Sequence, residues 1–277
     1  MGAPRGISLH IGVNRCSAEH YRGWEGPLSS CENDADIMQA IAGSRGFETL
    51  QLKTEQATRD NVREAILAAA RELAAGDMFL ITYSGHGGQV RDVDGDEADG
   101  KDDTWCLYDG QFLDDELHVL FSEFAQGVRL LVLSDSCHSG TMLKGDAPPR
   151  RHPEIVDDFV YSRAMPRSAA IETFRENRSF YAQIQDALPH PPPEIRASVR
   201  LLSGCQENEE SFGSKEVGRF TDAVRNVFAD GTFQGGYKSF HREIVAAVAK
   251  AMNPQTPGHA IIGPSNPDYD SQHPFQI

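Results

Sequence analysis

Two short segments of this chain hold residue types and spacings suited to covalent catalysis. In Tyr83-Ser84-Gly85-His86-Gly87-Gly88 one imidazole stands among glycines, which let the backbone turn sharply and approach a ligand closely, so His86 is expected exposed at a cleft. Taken alone, the segment also fits a histidine that merely caps a strand end. Leu131-Val132-Leu133-Ser134-Asp135-Ser136-Cys137-His138-Ser139-Gly140 supplies a partner, with Cys137 roughly 50 residues after His86. A thiol is a usable nucleophile at neutral pH when a nearby base favours its thiolate, and an imidazole can do this and later protonate a leaving amine. His138, adjacent on extended backbone, points to the opposite face and is assigned a structural role.

The elements that must position these groups are legible in the apolar pattern. Ile7 to Val13 reads as a buried strand, and Asn33-Asp34 opens a helix that ends near Gly43 to Gly46. Phe47 to Lys53 alternates, and Thr58 to Ala75 is a strong helix former. Asp77 to Tyr83 and Val128 to Ser134 are continuous apolar runs of the kind buried on both faces of a parallel sheet, with a helix at Leu113 to Ala125 between them. Both catalytic segments therefore fall at carboxyl ends of strands, where open α/β sheets bind ligands. From Lys144 to Pro193 the pattern dissolves into a basic, Pro-rich stretch read as a long surface linker. A second block follows, with strands at Val199 to Ser203 and His259 to Ile262, and helices at Arg219 to Ala229 and Tyr237 to Met252.

A formal charge of -15 gives no reason to expect binding to nucleic acid or to an anionic membrane, and favours a cationic substrate. No apolar run approaches a membrane span, and Met1 to Gly6 holds no apolar signal core, so a cytoplasmic protein is expected. Cys16, Cys31, Cys106, Cys137 and Cys205 are scattered without a C-x-x-C pair, so reduced thiols are expected rather than disulfides or structural zinc.

Tyr-Ser-Gly-His-Gly and Asp-Ser-Cys-His-Ser-Gly together resemble the metacaspases, caspase-like peptidases. The resemblance extends to Ser30-Cys31-Glu32-Asn33-Asp34-Ala35, to the acidic run Asp92 to Asp103, to Asp114-Asp115-Glu116-Leu117 and to Gly218-Arg219-Phe220-Thr221. It implies an α/β caspase-like sandwich with a mostly parallel sheet of about six strands and helices on both faces. It also implies one peptidase domain over 1–277, made of a large-subunit-like part (1–143), a linker (144–197) and a small-subunit-like part (198–277). The implied catalytic pair is His86 and Cys137, with the backbone N–H groups of Gly87 and Cys137 as oxyanion donors. Cleavage after Arg or Lys is implied, in protein or peptide substrates, and the positions matching the specificity pocket are Cys31, Asp34, Ser84 and Asp135. Two carboxylates there could meet a guanidinium or ammonium group. The alternatives are that Asp34 is a helix N-terminal acid and that Asp135 merely orients its loop.

No cofactor is required for this chemistry. Calcium is a further implication, through Asp102, Asp114 and Asp115, although the family's additional acid after the nucleophile falls at or near Lys144, with Asp146 close by. The run from Asp92 is not an EF-hand, since Glu97 stands where Gly is required, and a solvated acidic loop without an ion is the alternative. Arg150-Arg151 in the linker is a candidate self-cleavage site. Two rival readings are a metal site built from His86, Cys106, Cys137 and His138, and an inactive caspase-like module that binds partners.

Overall fold

The structure is a computed structural model of the chain, and it describes residues 2–91, 101–137, 161–206, 209–250 and 255–277. In chain order the first half comprises β1 (Gly6–Gly12), α1 (Cys31–Ser44), β2 (Glu48–Lys53), α2 (Arg59–Glu72), β3 (Met78–Ser84), β4 (Gly87–Arg91), β5 (Lys101–Leu107), β6 (Gly110–Leu113), α3 (Asp114–Ser122) and β7 (Arg129–Asp135). The second half comprises β8 (Tyr161–Ser162), α4 (Arg167–Glu176), α5 (Arg178–Ala187), β9 (Ser198–Ser203), β10 (Phe212–Gly213), α6 (Arg219–Phe228), α7 (Tyr237–Val248), β11 (Gly258–Ile262) and α8 (Pro267–Ser271).

Six strands form the central sheet in the order β11-β9-β7-β3-β1-β2. All neighbours run parallel except β11, which is antiparallel to β9. The apolar runs of β3 and β7 are central because every residue of β3, and all of β7 but Arg129, is buried, as a strand covered on both faces must be. One face packs on α2 and α3 through Val62, Ile66, Leu117 and Phe121. The other packs on α1, α6 and α7 through Met38, Ile41, Val224, Phe240 and Ile244. These are helices on both faces, as the sequence implies.

The chain leaves β1 for β2 on one side and returns to β3 on the other, so strand order reverses between β1 and β3, the place where such sheets open a crevice. Register puts Gly12 beside Ser84 and Ser84 beside Asp135. The residues just past these three strand ends therefore share one rim. Asn14, two residues past β1, accepts the N–H groups of Cys31 (2.9 Å) and Glu32 (3.3 Å). It thereby caps α1 in place of the Ser30 side chain.

Two regions differ from the sequence reading. β4, β5 and β6 form a separate antiparallel sheet beside the rim, which the alternation did not announce because the acidic run interrupts it. The stretch read as a surface linker is, over 167–187, two helices. They are fixed by few residues rather than by a continuous apolar stripe: Tyr181 is fully buried with Val90 and Leu113, and its hydroxyl meets His20 Nε2 at 2.8 Å and accepts Gln111 N–H at 3.2 Å. Gln185 Nε2 donates to Asp102 Oδ2 (2.6 Å) and to the Arg91 carbonyl (3.0 Å). Among the described residues no helix is long and apolar enough to cross a membrane.

Candidate active site

His86 follows the carboxyl end of β3, and Cys137 follows that of its neighbour β7. The turn between β3 and β4 is pinned by the Tyr83 hydroxyl, which donates to the His86 carbonyl at 2.7 Å. The imidazole is buried, not exposed as expected from its glycine-rich turn. Trp24 lies edge-on to it, with ring centroids 4.9 Å apart. Its Nε2 meets the Gly26 carbonyl at 3.0 Å. A carbonyl only accepts, so Nε2 carries the hydrogen and Nδ1 is the basic nitrogen. Nδ1 has no hydrogen-bond partner. Gly26 has φ +52°, and a Cβ there would press on Trp24 and His86, so this seat requires glycine. Burial pulls the His86 pKa down to about 4, the Arg163 charge adds to this, and the Gly26 carbonyl and the main chain at Ala164 and Arg163 oppose it.

The sulfur of Cys137 is buried and accepts the Ser211 N–H at 3.0 Å. What covers it is a segment of the same chain. The Arg163 carbonyl accepts N–H groups from Gly87 (2.8 Å) and Cys137 (3.4 Å), the two donors named for an oxyanion. Gly87 must be glycine because a Cβ would collide with the Cys137 carbonyl. Arg163 N–H donates to the Ser211 carbonyl at 2.9 Å. Upstream, Tyr161 and Ser162 pair antiparallel with Gly213 and Phe212.

The Arg163 guanidinium enters the pocket whose positions the sequence singled out. Nη2 donates to Asp34 Oδ2 (2.7 Å) and Ser30 Oγ (3.0 Å), and Nη1 donates to Ser84 Oγ (2.7 Å) and the Asp135 carbonyl (2.8 Å). Nη1 also lies 3.2 Å from Asp135 Oδ2. Arg163, Asp34 and Asp135 are each at most 2 % exposed. Ser84 Oγ in turn donates to Asp34 Oδ2 at 2.7 Å, and Gly218 N–H to Asp34 Oδ1 at 2.8 Å. Asp135 accepts from Ser211 Oγ (2.7 Å) and from Thr221 N–H (3.1 Å) and Oγ1 (2.9 Å). Burial pushes the Asp34 carboxyl up while Arg163 pulls it back. Burial pushes the Cys31 thiol up to about 11, so it lines the pocket as a neutral group. Beyond the guanidinium a cavity of about 10 Å³ remains between Asp34, Met38, Asp135 and Val224, at most one water. Arg163 fills the pocket.

The sequence that carries Cys137, His86 and this doubly acidic pocket matches a known family. Residues 8–146, half of the chain, match the family model described as metacaspase, peptidase C14 domain. The chain belongs to the metacaspases. It is 30 % identical over 259 residues to metacaspase-1 of Saccharomyces cerevisiae strain YJM789, covering 80 % of this chain and 57 % of that one. It is 36 % identical over 267 residues to metacaspase-1 of Schizosaccharomyces pombe, covering 84 % and 61 %. The chain thus spans about three fifths of these curated relatives. Among solved structures it is similar to a protein of Geobacter sulfurreducens at 42 % identity and TM-score 0.85, covering 99 % of both chains. It shares the fold of caspase-1 from Spodoptera frugiperda, with TM-score 0.57 at 10 % identity over 93 % of this chain and 88 % of that one.

The structure of this metacaspase thus brings His86, Gly87 and Cys137 together around one carbonyl, and Cys31, Asp34, Ser84 and Asp135 around one guanidinium. Sequence reasoning did not find Ser30, Arg163, Ser211, Gly218 or Thr221. Only Ser30, Gly218 and Thr221 carried a signal, inside the family-like Ser30-Cys31-Glu32-Asn33-Asp34-Ala35 and Gly218-Arg219-Phe220-Thr221. Cys106 lies with its sulfur 3.9 Å from that of Met165. Cys205 donates to the Ser136 carbonyl at 3.5 Å, and hydrogen bonding with Cys137, with burial, holds its thiol well above the usual range. Asp102 Oδ2 is engaged by Gln185, and Asp114 Oδ1 accepts the Asp115 N–H at 3.1 Å. Among the described residues no three His, Cys, Asp or Glu side chains converge as a cation site. His138, Lys144, Asp146, Arg150, Arg151 and the acidic run from Asp92 to Gly100 lie outside the described residues.

Proposed function

We propose that this metacaspase is a cysteine endopeptidase that cleaves after Arg or Lys. The observation that carries the reading is the placement of Arg163, with its guanidinium between Asp34 and Asp135 and its carbonyl on the N–H groups of Gly87 and Cys137. That is how a substrate residue preceding a scissile bond must sit if those groups are a specificity pocket and an oxyanion site. In the reaction His86 Nδ1 takes the thiol proton, and the Cys137 sulfur attacks the carbonyl carbon. The oxyanion is held by the two N–H groups while His86 delivers its proton to the leaving amine. Water, activated by the same ring, then hydrolyses the thioester.

The pocket ranks Arg above Lys. Five acceptors surround a planar fork, and a compact ammonium on a shorter reach satisfies fewer of them. No cation is given a step, and hydrolysis measured in calcium and in EDTA decides whether Asp102, Asp114 and Asp115 take one. A cytoplasmic location belongs to the same proposal, since all five cysteines are free thiols, the state a reducing compartment maintains. The test is hydrolysis of fluorogenic peptides ending in Arg, Lys or Asp. Arg should exceed Lys, Asp should be refused, and Cys137→Ala should abolish turnover with an unchanged circular dichroism spectrum. Turnover surviving in Cys137→Ala would remove the assignment.

A further inference from the structure

On each of the two catalytic strands, the residue before the pocket contact faces the other way. Ser84 and Asp135 turn toward the guanidinium, so their neighbours Tyr83 and Ser134, paired in register across β3 and β7, share the opposite face. Both are buried, as are Trp105 and Ser136. All four carry a polar hydrogen at positions where Phe, Leu or Ala would be buried without desolvating a polar group.

Their bonds form one arch beneath the active site. The Tyr83 hydroxyl turns back along the chain and shares its proton between the carbonyls of His86 (2.7 Å) and Cys106 (3.1 Å). The His86 carbonyl also accepts the Cys106 N–H, at 2.9 Å. Room for that hydroxyl comes from Gly85, where a Cβ would collide with the phenol oxygen. The Tyr83 ring stacks on Trp105, with centroids 4.6 Å apart and planes 13° from parallel. Trp105 itself stands opposite Gly87 in the ladder of β4 and β5. Its indole N–H donates to Ser134 Oγ at 3.0 Å, and Ser134 Oγ meets the Oγ of Ser136, the residue before Cys137, at 3.0 Å. The arch thus runs from the main chain of His86 to the residue beside Cys137, and passes Gly87 on the way.

We infer that Tyr83, Trp105 and Ser134 are positioning residues that set the His86 ring and the Cys137 sulfur against each other. The inference rests on the peptidase reading above and deepens it by naming what aligns the pair. A bond from a ring nitrogen to the Gly26 carbonyl fixes the His86 tautomer, but not where the main chain that carries the ring stands. The Tyr83 hydroxyl fixes the latter. Misplacing reacting groups by about 1 Å can cost roughly 100-fold in rate, so the arch acts on turnover. It does not act on affinity, because Asp34, Ser84 and Asp135 receive the guanidinium on the other face.

The experiment uses the whole chain, with the wild type and Arg163→Ala as two parents. Into each go Tyr83→Phe, Ser134→Ala, which removes the acceptor of the Trp105 indole, the two together, and Tyr269→Phe. The last is a control: the buried Tyr269 hydroxyl donates to the Leu130 carbonyl at 2.9 Å near the far end of β7, a bond of the same kind away from the site. Readouts are kcat and KM for an Arg peptide and the melting temperature. Tyr83→Phe and Ser134→Ala should each lower kcat at least about fivefold, with KM within about twofold of the parent. The double variant should lose little more than the worse single one, since an arch broken at either point no longer aligns the pair. Tyr269→Phe should melt as low as Tyr83→Phe yet keep the parent's kcat, which separates alignment from lost stability. An unchanged kcat in Tyr83→Phe, a loss carried by KM, or an equal fall of kcat in Tyr269→Phe overturns the inference and leaves the peptidase reading standing. Losses that multiply in the double variant overturn the single arch. Failure of both parents to hydrolyse any Arg or Lys peptide sinks the peptidase reading itself.

Discussion

Substituting Asp34 with Asn separates an occupied pocket from an open one, because the same carboxylate holds both the tethered Arg163 and an incoming arginine. Asp34 accepts a charge-assisted bond from Arg163 at 2.7 Å, and such bonds contribute about 1.5–3 kcal/mol, or roughly 10- to 150-fold in affinity. An external peptide binds only molecules whose pocket is vacant, so its apparent affinity is the intrinsic one reduced by the vacant fraction. Asp34→Asn weakens intrinsic binding by some factor and, by loosening Arg163 equally, raises the vacant fraction by the same factor. The two cancel. With Arg163 present, kcat/KM for an Arg peptide should therefore change by no more than about threefold. In an Arg163→Ala background nothing offsets the loss, and Asp34→Asn should cost the full 10- to 150-fold, roughly. The assay is kcat/KM in the four chains of this double-mutant cycle. An equal loss in both backgrounds would show that Arg163 does not occupy the pocket, and no loss in either would show that Asp34 does not bind the substrate.

Three further outcomes rest on the same geometry. In the Arg163→Ala background, where no resident arginine offsets the loss, Gly218→Ala places a methyl against Asp135 Oδ2 and the seat of the guanidinium; overpacking of about 1–3 kcal/mol should lower kcat/KM for Arg peptides by roughly 5- to 150-fold, and an unchanged value contradicts this pocket wall. Burial pulls His10 down to about 3 and His86 to about 4, below the ordinary histidine value, so the unfolded chain binds more protons than the folded one between about pH 4 and 6.5. Stability is thus present above about pH 6.5 and lost as pH falls through that window; Cys137→Ala protein should melt about 5 °C lower at pH 5.5 than at pH 7, and a flat profile refutes the assignment. Arg163→Ala, although more active on external peptides, should lose about 3–5 kcal/mol of stability because two buried carboxylates lose their cation, and chemical denaturation that finds it as stable as wild type would show that water compensates them.

The scaffold of this site was legible because it rests on strong local signals. Continuous apolar runs before Ser84 and Asp135 can only be central strands, and the glycines around His86 mark a turn that a ligand backbone approaches. The pocket was legible only through the family-like segments, since Asp34, Ser84 and Asp135 come from α1, β3 and β7 and no single periodicity joins them. Arg163 was not legible at all. It is one of several arginines between Lys144 and Pro193, and composition made the whole stretch look like solvated linker. What distinguishes it is non-local: partners at 30, 34, 84 and 135 that supply acceptors, and a flanking Ala164-Met165 that fits against β4. The same segment, with Trp24 and Gly26 on the ring, accounts for the burial of His86 where its glycine-rich turn implied exposure.

A pocket with two buried carboxylates is a costly thing to leave empty. Asp34 and Asp135 repel each other, burial already pushes Asp34 toward its neutral form, and both are buried with Arg163 seated. A cation there is therefore as much a condition of the local fold as of recognition. The concentrated negative charge away from solvent that would let the proposed peptidase select arginine is the same feature that makes Arg163 a stabilising occupant. Burying these carboxylates more deeply would tighten the hold on Arg163 and on an incoming arginine alike.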